Sequence, residues 1–340
     1  DNITLANNDL SGGAGGSVAN IVYMSGQSSP RDNSNIVVSN NNIFDFTNTA
    51  PFGVKVNGNN TGVTISGNSF YQTAPITTNS IAIGPLSSTS NSNVVISGNF
   101  IGGSGPNCSG TWSTTNQFIG IQIQGIATAP TTQISNNTIR NIQTTGAGSQ
   151  FQGMVIQSGN VSVTDNVIGD PLTPNSILNS GTGVTWGLNL VSSGGVVCSS
   201  NVIANLTGTS IASTALIEGI HGRAPISITG NTVSNLTGSA QTIGTGMTSA
   251  VLGISLSSIA QATSISGNTV HSLTHTATAT QVSITGIAYS ATSSGNTTVS
   301  GNFVHSFNAS TTNNLTQVTG ILAGGNATGE VSNNMVRLGI

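Results

Sequence analysis

The side chains of this chain with the chemistry for catalysis are few and scattered. Its 340 residues include 8 Asp+Glu, 5 Lys+Arg, 4 His and 2 Cys. Cleavage of a glycosidic bond needs two carboxyl groups about 5–10 Å apart. The carboxylates here stand at Asp1, Asp9, Asp32, Asp45, Asp165, Asp170, Glu218 and Glu330, with no two spaced to meet on one strand face. Asp165 and Asp170 lie among turn-forming residues, where a short acceptor bonds nearby backbone. One cluster combines a carboxylate, an imidazole and a guanidinium: Glu218, His221 and Arg223 in EGIHGR. Such a trio could exchange protons with a substrate, yet it also suits a polar, exposed strand end, and that is the expectation. His271 and His305 lack the nearby carboxylate or thiol that a metal site requires. The expectation is therefore no catalytic residue, no metal and no cofactor. Cys198 occupies a core-type slot and Cys108 a Gly/Ser/Thr loop, so no disulfide between them is expected.

Composition explains the scarcity. Only 4% of the residues are charged, against about 25% in an average soluble domain. Asn, Ser and Thr number 41, 48 and 46, and Gly 44. Nucleic-acid binders and coiled coils need charge in quantity, which excludes both. No apolar run approaches the ~18 residues of a membrane-spanning helix. Disorder is also disfavoured, because 36% of the residues are apolar and they recur regularly.

The regularity is an internal repeat, apolar-x-apolar-Ser/Thr-x-Asn-x-apolar. It reads ITLANNDL at 3–10, IVVSNNNI at 36–43, VTISGNSF at 63–70 and VVISGNFI at 94–101. TQISNNTI at 132–139, VSVTDNVI at 161–168, VVCSSNVI at 196–203 and ISITGNTV at 226–233 follow. TSISGNTV at 263–270, TTVSGNFV at 297–304 and GEVSNNMV at 329–336 complete the series. Its Asn falls at Asn8, Asn41, Asn68, Asn99, Asn137, Asn166, Asn201, Asn231, Asn268, Asn302 and Asn334, at intervals of 27 to 38 residues.

Each slot has a physical meaning. Apolar residues three and five before the Asn share one face of a period-2 strand. The residue just before it is Gly or Asn in nine copies, the types that tolerate positive φ, so the chain should bend there. If successive copies stack as parallel strands about 4.8 Å apart, the Asn side chains form an inward row. An amide both donates and accepts, so the row can bond to itself and to the turn backbone. Asp there would stack like charges. The eleven Asn are therefore expected to be a structural ladder. His271 and His305, each three residues past a ladder Asn, should then stack in adjacent coils.

A second landmark, Gly-apolar-x-apolar, precedes most Asn motifs: GVKV at 53–56, GIQI at 120–123, GMVI at 153–156, GLNL at 187–190, GISL at 253–256 and GIAY at 286–289. A third apolar slot lies five after the Asn, as at Phe46, Ile142, Leu206, Leu236, Leu273 and Phe307. The expected fold is all-β: one right-handed parallel β-helix over 1–340, about eleven coils of ~33 residues with three short strands per coil. A propeller blade would need four antiparallel strands and hairpins. The ISGN-x-apolar run resembles the parallel β-helix repeats of the pectin-lyase-like superfamily, and most closely its long Asn/Ser/Thr-rich bacterial surface or secreted members. That resemblance spans the chain and implies the fold; the superfamily includes polysaccharide lyases, glycoside hydrolases, tailspikes and adhesins. EGIHGR resembles the Gly-His-Gly of polygalacturonases, but the accompanying Asp-Asp and Arg-x-Lys elements are missing.

The first strand-like run starts at once, without a basic or strongly apolar leader, and no capping element is recognisable at either end. These features lead to the expectation of an extracellular rod of a bacterial cell surface, an adhesin, stalk or filament. Its partners would be its own copies head-to-tail or a continuation of the chain, with surface glycans as candidate ligands. The alternative is a secreted polysaccharide-binding or polysaccharide-degrading β-helix protein.

Overall fold

In the computed structural model the described residues are 2–13, 18–27, 31–48, 51–192, 194–223, 226–242, 244–258, 263–277, 282–291, 297–311, 316–325 and 329–339. Their regular structure is nearly all short parallel strand. A ladder sheet of eleven strands runs from Ile3–Ala6 to Gly329–Ser332, just ahead of each ladder Asn. A turn sheet of eleven strands, just after each Asn, runs from Asp9–Ser11 to Met335–Arg337. The Gly-apolar-x-apolar segments form a ten-stranded glycine sheet from Asn20–Met24 to Gln317–Gly325. Every strand pairs with its equivalent one coil away, as Ile228 with Cys198 and with Ile265. The chain is thus a parallel β-solenoid whose repeat is the one marked by the ladder Asn. Among the described residues no helix is long and apolar enough to cross a membrane.

The bend before the Asn is left-handed in every coil. Positive φ is found at Asn7, Asn40, Gly67, Gly98, Asn136, Asp165, Ser200, Gly230, Gly267, Gly301 and Asn333. Asp165 is accordingly a turn residue. A second left-handed turn, four residues past the Asn, occurs at Asp45, Asn141, Asn205, Asn235, Ser272 and Ser306. It cuts off a fourth, seven-stranded sheet from Trp112–Thr114 to Asn308–Ala309. From that point the coil has four strands, one more than the repeat suggests, because each left-handed residue ends one strand and begins another. Where an insertion displaces the third apolar slot, Trp112 and Ile177 take it, in register with Ile142.

The ladder is continuous. Each ladder Asn from Asn8 to Asn302 donates from Nδ2 to Oδ1 of the next, at 2.9–3.0 Å over ten steps. The same Oδ1 accepts the preceding Asn's backbone N–H, as Asn201 N to Asn231 Oδ1 at 2.9 Å. From Asn41 on, the second Nδ2 proton goes to a strand carbonyl of the coil before, as Asn201 to Val163 O at 2.9 Å. Buried amides are thereby satisfied from both sides.

A shorter ladder was not evident from the repeat. Asn33 donates to Asn60 Oδ1 at 2.9 Å and Asn60 to Asn91 Oδ1 at 3.0 Å. All three stand eight residues before a ladder Asn. In the next coil that position is Ala129, followed by Pro130, and the buried Nδ2 of Asn91 ends the row without an acceptor among the described residues.

The glycine landmark answers to packing. A Cβ at Gly120 would lie 2.7 Å from Ile139 Cδ1, and one at Gly187 2.7 Å from Ile203 Cγ2. Gly219, Gly253, Gly286 and Gly320 similarly face Val233, Val270, Val304 and Val336. The apolar residue two past each ladder Asn therefore rests on the backbone of the opposite sheet, and the glycine makes the room. Cys198 lies in this core and Cys108 beneath a loop; both are free and buried, their thiols pushed up by desolvation to about 12 and about 11.

Candidate functional site

The chemistry-bearing residues that gather most closely lie on the outer face of the glycine sheet. Along a strand such as Ile217–Gly222, Ile217 and Ile220 enter the core while Glu218 and His221 point away. Parallel pairing repeats this in neighbouring coils. Gln152, Trp186, Glu218 and Leu252 form one outward column, and Val155, Asn189, His221 and Ser255 the other.

Glu218 is the hub. His221 Nδ1 lies 3.0 Å from its Oε2, and Ser255 Oγ of the next coil donates to its Oε1 and lies 3.2 Å from the same Nδ1. From the coil before, the Trp186 ring stacks on His221 with centroids 4.8 Å apart and planes within 2°. Asn189 donates to Gln152 Oε1 at 2.9 Å, while its buried Oδ1 has no donor among the described residues. Burial opposes the imidazolium of His221, but the charge of Glu218 and its hydrogen bond outweigh burial, so the His221 pKa is raised; the Arg223 charge works the other way.

The placement corrects the sequence expectation. Glu218 is not at an exposed strand end: it is 4% exposed, because Ser255 and Trp186 of adjacent coils close over it. Trp186 and Ser255 lie 32 and 37 residues from Glu218, so only the coil register reveals them. Chemically, a carboxylate that fixes Nδ1 orients the imidazole and leaves Nε2 as the nitrogen that can exchange a proton. The cluster holds one carboxylate, so it lacks the pair that glycoside hydrolysis uses.

Three of the other carboxylates, Asp170, Asp45 and Asp9, serve local structure. Asp170 accepts from Leu172 N, Thr173 Oγ1 and Arg140 Nη1, the last at 2.9 Å. The Leu172 hydrogen bond foremost holds its pKa below the usual carboxylate value, against the effect of burial. Asp45 accepts from the backbone and hydroxyl of Thr73, and Asp9 from Asn42. Asp1 lies outside the described residues. No group of three or more His, Cys, Asp or Glu among the described residues could hold a metal ion. His271 and His305 are register partners, with rings stacked at 4.9 Å and 4°, as their spacing predicts.

No protein-family model, curated protein or solved structure matches the chain.

Proposed function

We propose that the protein is a structural, adhesive element of a bacterial cell surface, an extracellular rod or filament of stacked β-helix coils. The unbroken eleven-Asn ladder carries this reading. Its polar groups are committed to holding coil on coil, and the repeat invests sequence in an axis rather than in a cleft. The low charge fits the same purpose, since neutral columns stack without self-repulsion. Immuno-electron microscopy of the native source tests it. Label on surface fibres or projections is expected; label restricted to dispersed single particles would overturn the proposal.

The second reading is a secreted polysaccharide-binding or polysaccharide-degrading protein, favoured by the Trp186–His221–Glu218 cluster. Under that reading, Glu218→Gln or His221→Asn would abolish polysaccharide retention or depolymerisation by the purified chain. Equal activity in the variants and the parent would rule the cluster out.

A further inference from the structure

The ladder sheet turns a second kind of surface outward. Each strand exposes the residues two and four before its ladder Asn. The nearer column is Ser or Thr in every coil but the first, where it is Ala6. The farther column changes in size along the rod. Coils two to five carry Val37, Thr64, Val95 and Gln133, all in register. Ser162 and Val197 follow, coils eight and nine carry the smaller Ser227 and Ser264, and coil ten carries Thr298. Over this half runs a groove of about 590 Å³, floored by Val197, Ser227, Ser264 and Thr298 and flanked by Asn160 and Gly195. Val197 is 48% exposed within it. Across both columns the one charged side chain is Glu330, in the last coil.

We propose that this face binds a second copy of the same chain, antiparallel, about a two-fold axis through Ser162. In a two-fold interface every residue must suit the residue that symmetry places opposite it. With the axis at the sixth coil, Gln133 meets Val197 of the other copy, Val95 meets Ser227, Thr64 meets Ser264, and Val37 meets Thr298. The bulky half of each face thus fills the grooved half of the other, and Thr4 comes opposite Glu330. Hydroxyls suit such self-pairing because each both donates and accepts. A face rich in Lys or Glu would repel its own copy. Ten strand intervals of about 4.8 Å by a four-residue width of about 13 Å bury about 1,200 Å² over two copies. That reaches the lower bound of a specific interface, so half-dimerisation is expected at about micromolar concentration. The pairing is lateral and stands independently of whether the rod also extends along its axis.

The test uses the 340-residue chain in sedimentation velocity and in cysteine cross-linking. Ser162→Cys is expected to give a covalent dimer with a short bismaleimide, since facing sheets about 10 Å apart hold the two thiols on the axis beyond the reach of a disulfide but within that of the linker. Ser227→Cys alone is expected to stay unlinked, but to cross-link when mixed with Val95→Cys. The native thiols, buried and raised to about 11 and 12, leave the background low. Ser264→Lys should raise the dimer dissociation constant at least about tenfold with unchanged circular dichroism; if it misfolds, Val95→Lys serves the same purpose. A monomer up to about 100 μM, or Ser227→Cys cross-linking by itself as readily as Ser162→Cys, would overturn the proposal. Surface fibres whose assembly is untouched by a monomer-forming Ser264→Lys would leave the rod standing and remove lateral pairing from it.

Discussion

At the scale of single residues, the few titratable groups are tuned in opposite directions by their neighbours. Burial works against the charged form of His221, but the Glu218 carboxylate outweighs it and raises the pKa. His271 is lowered by burial and by its stacking partner His305. His275 is lowered by burial, against its hydrogen bond to the Ala240 carbonyl. A nitrogen-15 NMR titration should therefore place the His221 midpoint above the ordinary value of about 6.5, and those of His271 and His275 below it. Linkage sets the signs for stability. The His221 contribution is fully present below about pH 6.5 and is lost as pH rises through its folded midpoint. The His271 and His275 contributions are present above about pH 6.5 and are lost as pH falls through their folded midpoints. Glu218→Gln should bring the His221 midpoint down; an unmoved midpoint would show that the carboxylate is not its cause.

At the scale of elements, two sheets meet through a glycine and a branched side chain. Gly187 lies against Ile203, and an added Cβ would also come 2.5 Å from the Gly219 carbonyl oxygen. Neither strand can retreat, because each is pinned by parallel pairing to the coils on both sides. Gly187→Ala should cost about 1–3 kcal/mol by overpacking, read as a lower urea midpoint. Gly195→Ala is the control, since the nearest atom to its added Cβ is 3.5 Å away, an ordinary contact. Equal losses in the two variants would mean that the glycine slot is not a packing requirement. The Gly-apolar-x-apolar landmark was legible as a strand marker, but its reason was not: the residue that needs the space lies in another sheet of the same coil.

At the scale of the whole molecule, stability is a sum of coils and of the contacts between neighbours. A whole coil is therefore a removable unit. Deleting residues 202–231, one 30-residue repeat between ladder positions, joins Asn201 to Thr232 and presents Asn268 as the next ladder partner. This variant should keep its β-type circular dichroism and a single cooperative transition. Deleting residues 202–216 instead removes half a coil, breaks the register of every sheet at that point, and should split or abolish the transition. Identical behaviour of the two deletions would rule out stacking register as the source of cooperativity.

The amino-acid sequence by itself determined the repeat, the left-handed bend before each Asn, the stacking of His271 on His305 and the Asn ladder. Each follows from residue type and a fixed spacing within one copy. Tertiary structure decided what lies between copies at unequal spacing. The second turn that makes a fourth strand admits Asp, Asn or Ser and is often displaced by insertions. The Asn33–Asn60–Asn91 row keeps a fixed eight-residue spacing to the ladder, but it occupies only three of eleven copies, and only the stacking shows that the three amides meet. Glu218 became a buried hub because Trp186 and Ser255 arrive from adjacent coils. In a solenoid the nearest neighbours of a side chain are a whole coil away along the chain, and repeat lengths that vary from 27 to 38 residues hide that proximity until the coils are stacked.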